Sequence, residues 1–435
     1  MFFIDLHIHS RYSRACSKDI SIKNLSKYAK IKGLNLLGTG DFTHPEWTKE
    51  LKQELVPAED SGLDTSFGKG IYLSRDKFPF IFQTEISLIY TQDGKGRRIH
   101  NVIIAPDFET ALQITDELKK RGRVDYDGRP IFKISCPDFV EMLRKISPDI
   151  EVIPAHIWTP YFSLFGEYNQ FSKVEDCYKD QTKHIHSLET GMSSDPAMNY
   201  RLSQLDKYNL VSFSDIHSFW PWRIGREATI LNLNKEISYK SILTALRTGE
   251  NIIGTIETNP NYGIYHYTGH RNCNVCVDPV ESKKLNQICP KCHQKMTIGV
   301  LERVEQLADR APGFKPKTVK PFYNMIPLSE IISGIYDTGL ATRKCWDIYN
   351  LLIEKFDNEF NILLNVSEEE LAKVCDPKLV ESIINVRHGK VNVKPGYDGL
   401  YGIPIFGDKE IIQKPLNIKS KTIPKLKEQK SLSEF

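Results

Sequence analysis

From residue 1 to about residue 250 the chain repeats one pattern, a short apolar run of β character followed by a helix-length segment. The runs are MFFIDL at 1–6, LNLLG at 34–38, PFIFQTEISLIY at 79–90, HNVIIAP at 100–106, VIPAH at 152–156, HIHSLET at 184–190 and LVSFSDIH at 210–217. Strands alternating with helices predict an α/β protein with a parallel sheet. More than six such strands, with polar residues collected at their C-terminal ends, favour a closed barrel over an open doubly wound sheet. Amphipathic stretches at 21–32, 107–129 and 137–150 are expected as outer helices.

Histidines and acids recur where those strands end: His7 and His9, Asp41, Glu85, His100, His156, then Asp215 with His217. Side chains two apart on a strand share a face, so His7 with His9 and Asp215 with His217 make two converging pairs. A single buried histidine is ordinarily a satisfied core residue. A whole set of unpartnered imidazoles and carboxylates would cost too much unless it held metal. Nitrogen and oxygen ligands without thiolate suit zinc, manganese or iron, and such a cluster attracts phosphate and lowers the pKa of water.

Four of the nine cysteines form Cys273-x2-Cys276-x12-Cys289-x2-Cys292, two knuckles able to bring four thiolates to one structural zinc ion. His293 is a competing ligand. Cys16, Cys136, Cys177, Cys345 and Cys375 are scattered singly. Free thiols in odd number and the early charges Asp5 and His7, with no long apolar run, predict a cytoplasmic chain without a membrane segment. The pattern changes after residue 250. Residues 299–310 read as a short helix, 311–322 as a linker, and 327–356 with 366–385 as helical. The expected division is a barrel over 1–250, a zinc module and connection over 251–310, a helical domain over 311–410 and a basic tail over 411–435.

The motifs HIHSRYS at 7–13, GTGD at 38–41, TE at 84–85, PAH at 154–156 and SDIHS at 214–218 resemble those of the PHP (polymerase and histidinol phosphatase) superfamily of phosphoesterases. That resemblance implies a distorted (β/α)7 barrel with a trinuclear centre. Carried over by motif, His7, His9, Glu85 and Asp215 would hold one ion, and Glu85 would bridge to a second held by His100 and His156. Asp41 with His217 would hold a third. The stretch Ser13, Arg14, Ala15 departs from the superfamily by lacking a further ligand, which His44 could replace.

Over almost the whole chain, DLHIHSRYS, KGLNLLGTGD, SDIHSFWPWRIGRE, YHYTGHRNC, the paired CxxC, VLERVEQLADR and PGYDGLYG resemble the endonuclease Q family. This implies a DNA-repair endonuclease that cuts 5′ to uracil, hypoxanthine, xanthine or an abasic site, leaving 3′-hydroxyl and 5′-phosphate ends. Its cofactors would be one structural zinc and two to three divalent ions, zinc first, with magnesium or manganese as alternatives. The resemblance also implies a catalytic role for Asp195 within GMSSD at 191–195, where the residues alone read equally as a turn or helix cap.

Candidate DNA contacts are Ser10, Arg11, Arg14, Arg223, Arg226, Tyr265, His266, His270 and Arg271, chosen as arginines near the cluster and aromatics interleaved with cations. The count of 58 Lys plus Arg against 55 Asp plus Glu leaves only +3, so any affinity for DNA must come from such local groups. The last seven residues, with Gln429, Leu432 and Phe435 in the order Q-x-x-aliphatic-x-x-aromatic, resemble a sliding-clamp-binding motif. The competing readings are a small-molecule PHP phosphomonoesterase and a nonenzymatic, zinc-stabilised DNA-binding scaffold.

Overall fold

A computed structural model describes residues 1–62, 66–233, 237–406 and the backbone of 409–410. Strands β1 (Phe2–Asp5), β2 (Leu36–Gly38) and β3 (Pro79–Gln92) pair in parallel, as the alternation predicts. The next run does not follow a helix. β3 turns straight back into β4 (Lys95–Ala105) as an antiparallel hairpin, through Asp93 and Gly94 with φ of 52° and 73°. Positive φ at both central residues is a type I′ turn, for which Asp-Gly is a preferred pair.

β4 pairs antiparallel with β5 (Glu151–Pro154), while β6 (Ser187–Glu189) and β7 (Asn209–Val211) form a separate parallel pair. On its other edge β1 pairs antiparallel with β8 (Ala228–Leu231), which pairs antiparallel with β9 (Ile252–Glu257). The sheet is therefore mixed rather than wholly parallel. Alternate residues of these strands enter two cores: Ile4, Leu36, Ile81, Val102, Ile153, Val211 and Leu231 lie in one, Leu37, Phe80, Phe82, Ile103 and Val152 in the other. Burial on both faces explains why the runs are continuously apolar.

Side-chain caps set the helix starts. Ser21 accepts from Asn24 N at the head of α1 (Ile22–Lys32), Asp107 from Thr110 N at α2 (Phe108–Lys119), and Ser135 from Asp138 N at α3 (Cys136–Ile146). α2 stops well before the expected residue 129, because the segment beyond it carries Gly122 and Gly128. Gly128 is held at that spot by space, since a Cβ there would lie 2.2 Å from Asp41 Oδ2.

Past the linker come α4 (Leu328–Ile335), α5 (Arg343–Phe356), α6 (Glu359–Leu364) and α7 (Pro377–Arg387). The helix expected over 327–356 breaks where Asp337 takes φ 47°. This helical segment is fastened to the sheet region by a buried ion pair, Lys32 Nζ to Glu359 Oε1 at 2.7 Å. Further hydrogen bonds support the pair: Lys32 Nζ also donates to Pro221 O (2.8 Å), and Glu359 accepts from Leu328 N (2.9 Å) and Tyr349 OH (2.8 Å). A buried pair is tolerable only when so satisfied. Trp220 stacks on Trp222 at 5.4 Å and both meet Trp346 of α5, so the loop after His217 is packed against the helical segment. Among the described residues no helix is long and apolar enough to cross a membrane.

Candidate metal centre

Chain topology brings the strand-end residues together. Just past β1, Ile8 forms a parallel bridge with Ile216, which sets His7 and His9 beside Asp215 and His217. Glu85 lies on β3 and His100 on β4; the register pairs Ser87 with His100 and Glu85 with Val102, so Glu85 and His100 share one face of the hairpin. His156 follows β5. Asp41, His156 and Asp215 take φ of 41°, 30° and 46°, left-handed values that cost a side-chain-bearing residue about 1–3 kcal/mol each and cluster at functional sites.

Two groups of ligand atoms result, sharing Glu85: His7, His9, Glu85 and Asp215, and Glu85, His100 and His156. In the first, His7 Nε2 lies 3.5 Å from Glu85 Oε1 and 3.6 Å from Asp215 Oδ1, and His9 Nε2 lies 3.3 Å from Glu85 Oε2 and 3.1 Å from Asp215 Oδ1. Ligands about 2.1 Å from a tetrahedral ion stand about 3.4 Å apart, so the spacing is that of a metal-ligand set. Chemistry agrees with geometry, because His7 Nε2, His9 Nε2 and Asp215 Oδ1 are buried without a hydrogen-bond partner. In the second group His100 Nδ1 is 2.7 Å and His156 Nε2 3.2 Å from Glu85 Oε1.

The charges are poised for cations. Burial would raise the Glu85 carboxyl, but His100, Arg129 and His7 around it hold it well below the ordinary carboxylate range. Burial likewise opposes ionised Asp215, and His7, His9 and His217 hold it well below that range. Burial pushes His100 down to about 4 against the pull of Glu85, which keeps a neutral imidazole available for coordination.

Two members of this neighbourhood are missing from the ligand set read from the sequence. Glu189, the last residue of β6, accepts from His7 Nδ1 at 2.9 Å and from His156 N at 2.8 Å, tying both groups together from behind. Its position at a strand end is the same cue that singles out the others. Arg129 Nη1 lies 3.1 Å from Glu85 Oε2, reached from the loop that leads into the short strand Ile131–Phe132.

The remaining expectations divide. Asp41 and His217 are not joined as an independent ligand pair: Asp41 is spent on His9 Nδ1 (3.0 Å), Ser10 N (2.6 Å) and Ser13 Oγ (2.9 Å), and so orients His9 rather than standing free. His217 Nδ1 faces Asp215 O at 3.0 Å, and His44 stacks on Tyr12 at 4.3 Å. Asp195 caps the short helix Pro196–Asn199, accepting from Met198 N at 2.9 Å, and burial raises its carboxyl.

Among the expected DNA contacts, Ser10 and His266 are buried, which removes them from a surface role. Arg11 is engaged by Glu50 and Trp47, Arg14 is exposed beside Asp127, and the Arg271 side chain is exposed. Arg223 and Arg226 line a pocket with Trp222, Tyr262 and Glu330. Tyr265 is half-buried against Tyr161. Gln429, Leu432 and Phe435 lie outside the described residues.

The cysteine module differs from the expected four-thiolate set. His270, Cys273, Cys289 and Cys292 converge, with His270 Nδ1 3.3 Å from Cys292 Sγ, and Cys276 is not of the group. Strand register is the reason. In the pair of β10 (Thr268–His270) with β11 (Val275–Val277), His270 opposes Val275 and Gly269 opposes Cys276. Directly opposed residues share a face, so His270 lies with Val275, which packs on Cys289, whereas Cys276 lies with Gly269 on the face covered by Tyr397. Burial raises the Cys289 thiol, but the N–H groups of Cys292 and Lys291 pull it below the ordinary thiol value.

Comparison with known proteins follows the same outline. A family model described as the MJ0043 C-terminal domain matches residues 327–390. The Methanocaldococcus jannaschii protein MJ0043 is 34% identical over 252 residues, 56% of this chain, and the match spans only 31% of that relative. Bacillus subtilis YqxK is 28% identical over 416 residues, covering 92% of this chain and 98% of YqxK. The lesion-specific endonuclease PfuEndoQ from Pyrococcus furiosus superposes with TM-score 0.82 at 28% identity, covering 94% of this chain and 96% of its own. An endonuclease Q complexed with a 27-mer duplex bearing an abasic lesion gives 0.81 at 29%, covering 96% and 100%. Fold and cluster together define a metal-dependent α/β enzyme. Over nearly its whole length the chain is similar to endonuclease Q structures.

Two outcomes are expected. Glu189→Gln should weaken metal binding at the histidine centre by about 10–100-fold, as loss of an outer partner of a ligand does; unchanged zinc isotherms would remove Glu189 from that role. Cys276→Ser should leave the cysteine-module metal in place and His270→Ala should release it, read from metal content and the cobalt-substituted absorption spectrum. The reverse pattern would restore the four-cysteine site.

Proposed function

We propose that this chain is an endonuclease of damaged DNA that hydrolyses the phosphodiester 5′ to a deaminated base (uracil, hypoxanthine or xanthine) or an abasic site, leaving 3′-hydroxyl and 5′-phosphate ends. What carries the reading is the convergence of unpartnered His7 Nε2, His9 Nε2 and Asp215 Oδ1 beside Glu85, in a chain whose likeness to a lesion-bound endonuclease Q spans 96% of its length. Residues His7, His9, Glu85 and Asp215 would hold one divalent ion, and Glu85, His100 and His156 a second. Zinc suits these donors, with magnesium or manganese as alternatives. Such ions supply a low-pKa water and offset negative charge on the phosphate.

The chain's own groups do the rest. Glu189 and Asp41 fix the ring orientations of His7 and His9. Arg129, beside Glu85, offers a planar fork to the non-bridging phosphate oxygens, and exposed Arg14 can hold the backbone nearby. Asp195 is assigned the acidic role that assists cleavage. The sliding clamp is the second proposed partner, through Gln429, Leu432 and Phe435.

Duplexes carrying uracil, hypoxanthine or an abasic site should be nicked on the 5′ side when divalent metal is supplied, and no lesion-dependent nick with any divalent metal would end the reading. Asp195→Ser, which keeps a capping oxygen, should keep the melting temperature and lose most cleavage; parental turnover would leave Asp195 a cap alone. Deleting residues 429–435 should abolish clamp capture measured by surface resonance, and undiminished capture would dismiss that partner.

A further inference from the structure

The loop that carries His156 also carries an aromatic surface which the hydrolytic reading leaves without a task. Tyr161 and Tyr168 are 48% and 41% exposed. Their centroids are 6.4 Å apart, and Tyr265, from the segment before the cysteine module, stands 6.3 Å from Tyr161. Arg98 lays its guanidinium 4.4 Å from the Tyr168 ring centre. Three rings and a cation thus meet on one patch, drawn from three distant parts of the sequence.

The loop beneath them is tied down by hydrogen bonds. Asn169 is buried and bonds both ways to Arg98, Nδ2 to Arg98 O at 2.5 Å and Oδ1 from Arg98 N at 2.8 Å, while Nδ2 also reaches Ser163 O at 2.5 Å. The carbonyl of Asn169 accepts from Arg97, whose guanidinium sits 4.1 Å from the Phe171 ring. The patch is also fixed to the metal ligands. Thr159 Oγ1 lies 3.1 Å from His156 Nδ1, the Phe162 ring meets the His100 ring at a tilt with centroids 4.5 Å apart, and His100 N donates to Phe162 O at 3.2 Å. Exposed rings held still at the edge of the proposed phosphate-cutting site fit flat π-faced groups joined by phosphates.

We propose that Tyr161, Tyr168, Tyr265 and Arg98 form a stacking platform for unpaired DNA bases next to the scissile phosphate. The inference rests on the endonuclease reading and names a binding surface for that substrate. Enzymes that act at one nucleotide of a duplex must separate it from its neighbours, and the bases so unstacked need a new surface. Tyrosine faces serve any base, and an adjacent arginine adds a cation–π contact and charge for the backbone. The platform therefore sets affinity for opened DNA without choosing the lesion.

The test uses the full chain and two probes, a single-stranded oligothymidylate and an abasic duplex with 2-aminopurine opposite the lesion. Replacing Tyr161 and Tyr168 together by alanine should weaken oligothymidylate binding on the order of tenfold or more and abolish stacking-dependent quenching of 2-aminopurine. The slope of affinity against salt should not change, since no charge is removed, whereas Arg98→Gln should reduce it by about one contact. The pair Tyr161→Phe and Tyr168→Phe should bind as the parent does. Parental affinity in the alanine pair, or an equal loss in the phenylalanine pair, overturns the platform. Should the alanine pair lose its melting transition, Tyr168→Ala alone gives the same comparison. Failure of the parent to nick any lesion defeats the endonuclease reading, while ring-dependent oligothymidylate binding would still hold.

Discussion

One buried carboxylate holds the rest of the site in place. Glu85 contacts His7, His9, His100, His156 and Arg129, so each of its oxygens belongs to more than one neighbour. No isolated acid would stay ionised at zero exposure, and this one does because positive or proton-bearing rings close around it. That arrangement makes Glu85 a member of both ligand groups.

The backbone is bent to serve that carboxylate. Asp41, His156 and Asp215 sit in left-handed conformations that ordinary residues avoid, each where a strand gives way to a loop. Surrounding contacts maintain them: Trp47 Nε1 donates to Thr39 O and Gly40 O just before Asp41, Glu189 takes the His156 N–H, and Asp5 takes the Ser214 N–H just before Asp215. The helical segment is part of the same support, since the Lys32 to Glu359 pair and the tryptophan cluster grip the loop after His217 from outside. Strain at the centre is thus balanced by packing well away from it.

Much of this was legible in the residues. Continuous apolar runs betrayed strands buried on both faces, and histidines at their ends marked ligands that the structure does bring within reach of one another. Other features were not. The Asp93–Gly94 hairpin replaces an expected crossover, although its turn pair is a readable signal. Glu189 shares the strand-end cue, but nothing local distinguishes it from an acid on any short strand. Arg129 had no cue at all, because its role comes from a loop folding back over 44 residues to Glu85. Knuckle spacing pointed to four thiolates, yet spacing is blind to which face of a strand a residue occupies.

The amino-acid order by itself determined an α/β chain with a histidine-and-carboxylate metal cluster and a separate cysteine module, since residue chemistry and period are local properties. Tertiary structure alone decided how those groups are shared: that Glu85 is common to two sets, that Asp41 orients His9 rather than standing free, that His270 and not Cys276 converges with the other three cysteines, and that Tyr161, Tyr168 and Tyr265 meet. Such facts depend on register and chain reversal, where a shift of one residue moves a side chain to the opposite face. No local pattern encodes that.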